Sequence, residues 1–288
     1  MLPEFDLIIP KTLEEACSLK LQGGRILAGG TDVLVSMHGG ALQPRTLIDI
    51  KGLCELRGMT ETEEGLDIGA LTTHREIEVS PLIRQKYTAL FEGCSQVGSM
   101  QIRFRGTLGG NICNAVPSAD STGPLLALGA VCVIAGSQGE RVVPLSNFFT
   151  GAKSTVLKDD ELLKRVLLPL PASQSGSCYS KFTRRNAMDI ALYGVSCYIA
   201  LRDEKIEAAR ISLTTAAPTP IRAYEAEKVL IGQIPGEALA AEAGKCARAE
   251  ARPRSSWRSS AEFRLALTEE LTARTVMTAV QRAREALP

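Results

Sequence analysis

Two glycine pairs carry the first chemistry that the sequence suggests. One lies in Ile26-Leu27-Ala28-Gly29-Gly30-Thr31-Asp32, followed by Val33, and the other lies in Thr107-Leu108-Gly109-Gly110-Asn111. Because glycine has no side chain, backbone N–H groups near it can approach a bound anion, and the neighbouring polar groups can bond to its oxygens. One such loop is usually only a tight turn. Two loops that each end in polar residues predict a clamp on a diphosphate.

Polar side chains beside the glycines can add donors. Thr31 and Thr107 offer hydroxyl groups and Asn111 offers an amide, and all of these suit phosphate oxygens. Helix capping or turn formation is the alternative role for the two threonines. The chain shows no candidate nucleophile and no acid–base pair, so we predict no catalytic side chain.

Length and charge limit the class of protein. A chain of 288 residues can form two domains with a substantial core. Its 33 basic and 32 acidic residues nearly balance, so the chain lacks the excess positive charge that is typical of nucleic-acid-binding proteins. No apolar run approaches the ~20 residues that span a bilayer, and the first residues lack the pattern of a signal peptide. We therefore expect a soluble, cytoplasmic protein without nucleic-acid or membrane partners.

The eight cysteines do not follow a metal-binding pattern. Their closest spacing is 19 residues, as between Cys94 and Cys113, and no C-x-x-C occurs. Iron–sulfur and zinc sites usually take ligands from closely spaced cysteines, and the histidines are only His38 and His74. We predict no metal site, so any redox cofactor is organic.

The elements around the first glycine pair predict a small β-α-β-α-β unit. Thr12-Leu13-Glu14-Glu15 fits a capping box for a helix that ends at Gly23-Gly24. A second helix starts at Val33, so the glycine loop opens onto a helix N-terminus, which favours phosphate. The predicted strands are 5–9, 25–27 and 46–50. The loop does not match G-x-G-x-x-G, so we do not predict a Rossmann site.

The rest of the chain predicts two further groups of elements. A strand at 66–70 precedes a capping box at Thr73-His74-Arg75-Glu76 and a helix that ends near Gly93. We also predict a helix around 124–128 and strands at 131–135, 141–145 and 162–168. A linker at 169–177 leads to an antiparallel sheet of strands 178–183, 191–201 and 206–214. A loop at 248–258 then precedes a long helix at 261–287.

Five ordered segments resemble the FAD-binding (medium) subunits of the molybdenum hydroxylases, the family of xanthine dehydrogenase and carbon monoxide dehydrogenase. They are residues 28–32, 101–111, 113–120 and 159–163, and residues 181–185 with 189–191. Phe104 stands where many relatives have asparagine. The Thr31-Asp32 ending of the first loop is closer to xanthine dehydrogenase than to the Gly-His-Ser form of carbon monoxide dehydrogenase. There is no cysteine-rich insertion like that of 4-hydroxybenzoyl-CoA reductase.

The resemblance implies an α+β fold with two domains. Residues 1–172 would form a PCMH-type FAD-binding domain, with subdomains of about 1–55 and 56–172. Residues 173–288 would form an antiparallel-sheet-plus-helices domain of the CO dehydrogenase flavoprotein C-terminal type.

The resemblance also implies roles for individual residues. Residues 26–33 and 107–111 would hold the FAD diphosphate, Asp120 the adenosine, and Lys181 would lie by the flavin ring. Val97 and Leu163 would lie along the flavin and adenine. The alternatives are a helix cap ahead of Pro124 for Asp120, a surface strand position for Lys181, and ordinary core positions for the two apolar residues.

The implied function is electron transfer within a multisubunit enzyme. A large subunit would hydroxylate substrate at molybdopterin, and a small subunit would pass electrons through two [2Fe–2S] clusters. The FAD of this chain would deliver them to NAD⁺ or another acceptor. A purine is the first substrate expected and a nicotinate-like heterocycle the second. The alternatives are a stand-alone PCMH-type flavin oxidase and a non-enzymatic adaptor that has lost FAD.

Overall fold

The N-terminal unit is a small parallel sheet. The computed structural model describes residues 2–286, so Met1, Leu287 and Pro288 of the predicted ranges lie outside it. The first elements are β1 (Asp6–Ile8), α1 (Leu13–Leu21), β2 (Arg25–Leu27), α2 (Val33–His38) and β3 (Thr46–Asp49). The three strands are parallel in the order β1-β3-β2. This is the predicted β-α-β-α-β unit, with the first glycine pair between β2 and α2.

The predicted capping box of α1 forms only in part. The Thr12 side chain accepts a hydrogen bond from the Glu15 N–H, as expected for an N-cap. The Glu15 carboxylate does not return to Thr12 but accepts from the Lys11 N–H at 2.7 Å. Glu15 therefore binds the N–H of the residue before the N-cap and not the N–H of the N-cap itself.

The second unit is a five-stranded antiparallel sheet covered by short helices. Its order is β4-β5-β10-β6-β7. The elements are β4 (Met59–Thr62), β5 (Gly65–Gly69), α3 (His74–Val79), α4 (Pro81–Lys86), α5 (Thr88–Ser95), α6 (Met100–Arg105), α7 (Leu108–Asn114), α8 (Thr122–Ala127), β6 (Val131–Gly136), β7 (Gly139–Pro144), β8 (Phe149–Gly151), β9 (Ser154–Thr155) and β10 (Leu162–Pro169). The edge strand β4 was not predicted, because it is largely exposed and shows no apolar alternation.

The single helix predicted from Thr73 to near Gly93 is wrong, because three helices occupy this range. The capping box at Thr73 and Glu76 is present and starts α3. Ser80 then takes an extended conformation, and its side chain caps α4, which begins at Pro81. A residue before proline is disfavoured in the helical region, so the Ser80-Pro81 pair ends one helix and starts the next.

The second glycine pair lies in the first turn of α7 rather than in a loop. Thr107 is the N-cap, and its side chain accepts from the Gly110 N–H at 3.1 Å. A Cβ on Gly109 would lie 2.6 Å from the Ala70 Cβ, so the helix and the segment after β5 pack directly against each other. Close packing explains Gly109 without any ligand.

The C-terminal unit is an antiparallel sheet with three helices. Its order is β11-β12-β13-β14, as predicted for the first three strands. The elements are β11 (Ser175–Phe182), β12 (Tyr193–Arg202), β13 (Lys205–Thr214), β14 (Ile221–Arg222), α9 (Tyr224–Leu230), α10 (Glu237–Glu250) and α11 (Ala261–Glu285). The predicted loop at 248–258 is partly wrong, since α10 continues to Glu250.

The predicted linker at 169–177 is shorter than expected. Strand β10 ends at Pro169 and β11 begins at Ser175. A Cβ on Gly176 would lie 2.3 Å from the Ala279 carbonyl oxygen of α11. Glycine at this position therefore lets the strand lie against the helix and does not signal a flexible link.

Strand β12 is buried on both faces, since α11 covers one side of its sheet and α8 contacts it from the other. Polar contacts between the two units add to this packing. The Ser212 hydroxyl donates to the Gly123 carbonyl at 2.6 Å, and the Arg210 Nε donates to the Ala127 carbonyl at 2.7 Å. Among the helices of residues 2–286, none is long and apolar enough to cross a bilayer.

Candidate functional site

A cavity of about 1050 Å³ lies where the first two units meet. Small-molecule sites typically have volumes of about 300–1,000 Å³, so this one suits a large cofactor. The predicted site residues that line it are Ile26, Ala28, Gly29, Gly30, Thr31, Asp32, Val33, Val97, Thr107, Gly109, Gly110, Asn111, Asp120 and Leu163. Most of the predicted set is thus brought together.

Three predicted residues are not part of the cavity lining. Leu27 packs with Met37 and Leu47 in a small core, and Leu108 is fully buried in the main core of the second unit. Both residues belong to segments that line the cavity, but their own apolar side chains point into the core and not into the cavity. Lys181 is also buried and is discussed with Asp120 below.

The first glycine loop presents a row of backbone donors. The N–H groups of residues 29–33 have no hydrogen-bond acceptor among the described residues. Gly30 has a φ of +79°, a left-handed conformation that glycine adopts without strain. Successive N–H groups around such a residue form a concave anion site. Because α2 has only six residues, these individual donors matter more than the helix dipole.

Gly29 brings the two glycine segments together. A Cβ at this position would lie 2.0 Å from the Arg105 carbonyl oxygen and 3.0 Å from the Gly106 Cα. Any side chain here would push the first loop away from the end of α6. The glycine is therefore required for the close approach of the two backbones that wall the cavity.

The second glycine segment contributes less backbone than predicted. The Leu108 N–H donates to the Thr72 carbonyl and the Gly109 N–H to the Ala70 carbonyl, both at 2.8 Å, and the Gly110 N–H donates to the Thr107 hydroxyl. The prediction that these N–H groups face an anion is wrong, because a helix start docked on another segment uses them internally.

The polar side chains of the second segment remain available to a ligand. Asn111 accepts a hydrogen bond from the Ser121 hydroxyl at 2.7 Å, which fixes its amide in the cavity wall. Its amide N–H₂ has no acceptor among residues 2–286. The Thr107 hydroxyl accepts from Gly110, as the capping alternative required, and keeps its own proton free to donate.

Asp120 and Lys181 form a buried ion pair. The Lys181 Nζ lies 2.8 Å from the Asp120 Oδ2 and also donates to the Gln96 carbonyl at 3.1 Å. The Tyr179 hydroxyl donates to the Asp120 Oδ1 at 2.7 Å. Burial raises the pKa of Asp120, while Lys181 and Tyr179 oppose that shift. The surface-lysine alternative for Lys181 and the helix-cap alternative for Asp120 are both wrong.

Leu163 lines the cavity and lies next to an irregularity in β10. The register against β6 shifts between Leu163 and Arg165, as in a β-bulge, and a bulge re-aims the neighbouring backbone. Just before it, the Glu161 carboxylate receives two hydrogen bonds from Arg141, at 2.8 and 2.7 Å. The Arg141 contact holds the pKa of Glu161 below its usual range.

The structure adds lining residues that the sequence did not single out as site residues. They are Lys20, Arg25, His74, Asn114, Lys153 and Asp189, among others. The sequence placed His74 in a capping box and counted it among the two histidines, and neither observation indicates a ligand. The cations come from two distant parts of the chain, Lys20 and Arg25 from one and Lys153 from the other, so no single local pattern could have revealed them.

Asp32 closes the first loop without capping α2. Its side chain opens into the cavity, whose walls raise the pKa of the carboxyl, while Asn114 and Lys153 lower it. Asp32 thus lines the cavity together with Asn114 and Lys153.

Comparison with known proteins decides the family. Residues 3–171 match the model "FAD binding domain in molybdopterin dehydrogenase", and residues 177–279 match "CO dehydrogenase flavoprotein C-terminal domain". This chain belongs to the FAD-binding subunits of the molybdenum hydroxylases. It is an oxidoreductase subunit whose cofactor is FAD, and its two-domain α+β fold is confirmed.

Individual relatives match the FAD-binding subunit over nearly its whole length. A putative xanthine dehydrogenase FAD-binding subunit of Escherichia coli K12 is 37% identical, covering 93% of this chain and 94% of the relative. The caffeine dehydrogenase β subunit of Pseudomonas sp. CBB1 is 32% identical, covering 96% and 95%. The solved carbon monoxide dehydrogenase of Hydrogenophaga pseudoflava aligns with a TM-score of 0.95 at 31% identity, over 98% of this chain and 99% of that one.

Proposed function

We propose that this FAD-binding subunit relays electrons from the [2Fe–2S] clusters of a small partner subunit to NAD⁺ or another acceptor. A large molybdopterin subunit of the same complex would oxidise the substrate. When bound, FAD supplies a ring that takes up and releases electrons. The main support for this proposal is the row of free N–H groups at residues 29–33. This row opens into a cavity that is large enough for a dinucleotide.

The residues of the chain fit FAD at its most highly charged part. The diphosphate would lie against the N–H groups of Gly29 and Gly30, with the Thr31 hydroxyl and the Asn111 amide as further donors. Such donors replace the water that a diphosphate loses on binding. Val97, Asp120 and Leu163 would contact the remaining groups of FAD, and Lys181 would act on them through Asp120. We also propose that residues 1–172 and 173–288 form the two domains.

A purine is the substrate that we propose for the whole complex. Xanthine and caffeine, which give two of the relatives their names, are both purines. A nicotinate-like heterocycle is the second choice, since a nicotinate dehydrogenase FAD-subunit is 33% identical over 80% of this chain. The substrate would bind in the large subunit. A cytoplasmic location remains a prediction from the sequence.

The test is reconstitution under anaerobic conditions. The isolated, flavin-loaded subunit should pass electrons from NADH to an artificial dye but should keep its flavin oxidised when mixed with xanthine or nicotinate. Adding iron–sulfur and molybdopterin subunits should make flavin reduction depend on the substrate. Direct bleaching of the isolated subunit by a purine would instead support a stand-alone oxidase, and a purified chain that binds no flavin would support the adaptor.

A further inference from the structure

His74 is a buried residue of the cavity wall whose ring makes no hydrogen bond to the described residues. It is 1% exposed, it lines the cavity, and its Nδ1 has no hydrogen-bond partner among the described residues. Its backbone N–H donates to the Gly106 carbonyl at 3.0 Å, and the capping box of Thr73 and Glu76 fixes the first turn of its helix. A buried polar ring that is held this firmly calls for an explanation, since leaving a buried polar group without a hydrogen bond is unfavourable.

The other edge of the imidazole faces the meeting point of the glycine segments. The His74 Cδ2, the carbon bonded to Nε2, lies 3.3 Å from the position that a Cβ on Gly106 would take. The Thr31 Oγ1 lies 3.5 Å from the same position. The Nε2 edge and the Thr31 hydroxyl therefore converge over Gly106, where the first glycine loop packs against the end of α6.

The buried Nδ1, which has no hydrogen-bond partner among the described residues, indicates which tautomer the ring adopts. A neutral imidazole has one N–H donor and one lone-pair acceptor. An unpaired N–H is rarer in protein interiors than an unpaired acceptor, so the proton belongs on Nε2. Burial and the nearby Arg103 lower the pKa of His74 to about 4, so the ring is neutral at neutral pH.

The neighbouring Arg103 has no side-chain donor directed at this junction. The Arg103 guanidinium donates to the Glu78 carboxylate at 2.9 and 3.2 Å and to the Val97 carbonyl at 3.2 Å. Its donors are thus directed to protein acceptors. The Nε2–H of His74 is a side-chain donor at this junction without an acceptor in the described part of the chain.

We propose that His74 is a further binding residue for the cofactor, and that its Nε2–H donates to a diphosphate oxygen held by the first glycine loop. This inference rests on the proposed placement of FAD in the cavity. His74 would add a side-chain donor beside the Thr31 hydroxyl and the backbone N–H groups, at the point where the first glycine loop packs against the end of α6. It acts as a neutral donor and not as a counter-charge.

The test compares two substitutions at His74 in the purified subunit after removal of flavin. His74→Leu removes the donor, and His74→Gln places an amide N–H₂ close to the position of Nε2. The ligands are FAD and ADP, which carries a diphosphate without flavin. We expect His74→Leu to weaken binding of both ligands at least tenfold and His74→Gln to restore most of the affinity. His74 and His38 are the two histidines, so His38→Gln, at an exposed position, is the matched control.

A second measurement covers the case in which His74→Leu fails to fold. In the ¹⁵N-labelled unsubstituted subunit, the imidazole spectrum should show the Nε2–H tautomer, and the Nε2 resonance should shift when FAD or ADP is added. Unchanged FAD and ADP affinity in His74→Leu, or an Nε2 resonance that FAD does not move, would overturn the inference while leaving the relay function intact. An unsubstituted subunit that binds no FAD would instead overturn the proposed function itself.

Discussion

Lys181 and Asp120 connect the C-terminal sheet to the wall of the cofactor cavity through an ion pair of 2.8 Å. The two side chains are only 4% and 9% exposed. Tyr179, two residues earlier on β11, holds the other oxygen of Asp120. The shape of the cavity wall at Asp120 therefore depends on a strand of the other unit.

Replacing Lys181 tests this dependence. We expect Lys181→Met to destabilise the protein by about 3–5 kcal/mol, because it leaves a buried carboxylate without its counter-ion. FAD affinity should fall with it, since Asp120 lines the cavity. Urea unfolding and flavin release provide the two measurements. Lys245→Met, at an exposed position on α10, is the control and should change neither quantity.

The double variant Lys181→Met with Asp120→Asn separates charge from packing. Removing the carboxylate together with its partner should recover much of the lost stability, because no buried charge is then left unpaired. If Lys181→Met alone is as stable as the unsubstituted chain, the ion pair does not join the two units as described.

Tyr179 and Tyr193 form a matched pair for the hydrogen bond to Asp120. Both are buried tyrosines of the C-terminal sheet, but the Tyr193 hydroxyl, although near Thr268, makes no hydrogen bond among residues 2–286. Tyr179→Phe should cost about 1.5–3 kcal/mol, the usual value for a hydrogen bond to a charged group, and Tyr193→Phe should cost little. Equal free energies of unfolding for the two variants would contradict the assigned role of Tyr179.

The left-handed glycine of the first loop gives a prediction on cofactor retention. Gly30 and Gly40 have φ values of +79° and +73°, so the backbone strain of a valine is similar at the two positions, although at Gly30 its Cβ would also lie 3.1 Å from the Leu34 Cδ1. A Cβ on Gly40 meets nothing within 4 Å, and Gly40 is not part of the cavity lining. We therefore expect Gly30→Val to lose FAD and Gly40→Val to keep it, although both lose stability. Flavin released per chain after denaturation is the measurement, and similar flavin content in the two variants would refute the role of the N–H row.

The sequence predicted those parts of the fold in which local pattern and tertiary packing agree. Apolar strands, the capping box at Thr73 and the first glycine loop all carried their own local signals. The second glycine pair did not, because its place in α7 depends on the packing of Gly109 against Ala70. Gly-Gly alone favours a loop, and the helix depends on the Thr107 cap together with this tertiary contact.

The contacts within the site were harder to predict than its location. The pairing of Lys181 with Asp120 joins residues 61 positions apart, and no spacing rule links them. The resemblance placed Asp120 at the adenosine and Lys181 by the flavin ring, and it did not indicate that the two side chains form an ion pair. The placement of His74 was hidden for a similar reason, since only the tertiary structure brings its ring edge and the Thr31 hydroxyl to the same point beside Gly106.

The pH dependence of stability gives a last prediction, based on His74. In the unfolded chain its imidazole takes up a proton near the ordinary pKa of 6.5, whereas in the folded protein it does so only near a pKa of about 4. The unfolded state therefore binds more protons between these values, so the free energy of unfolding falls as the pH is lowered through this window. The shift corresponds to a loss on the order of 3 kcal/mol. This contribution should be absent in His74→Gln and retained in His38→Gln. Urea unfolding of the flavin-free proteins at intervals from pH 7 to pH 4 measures it, and parallel curves for the unsubstituted chain and His74→Gln would show that His74 is not buried in its neutral form.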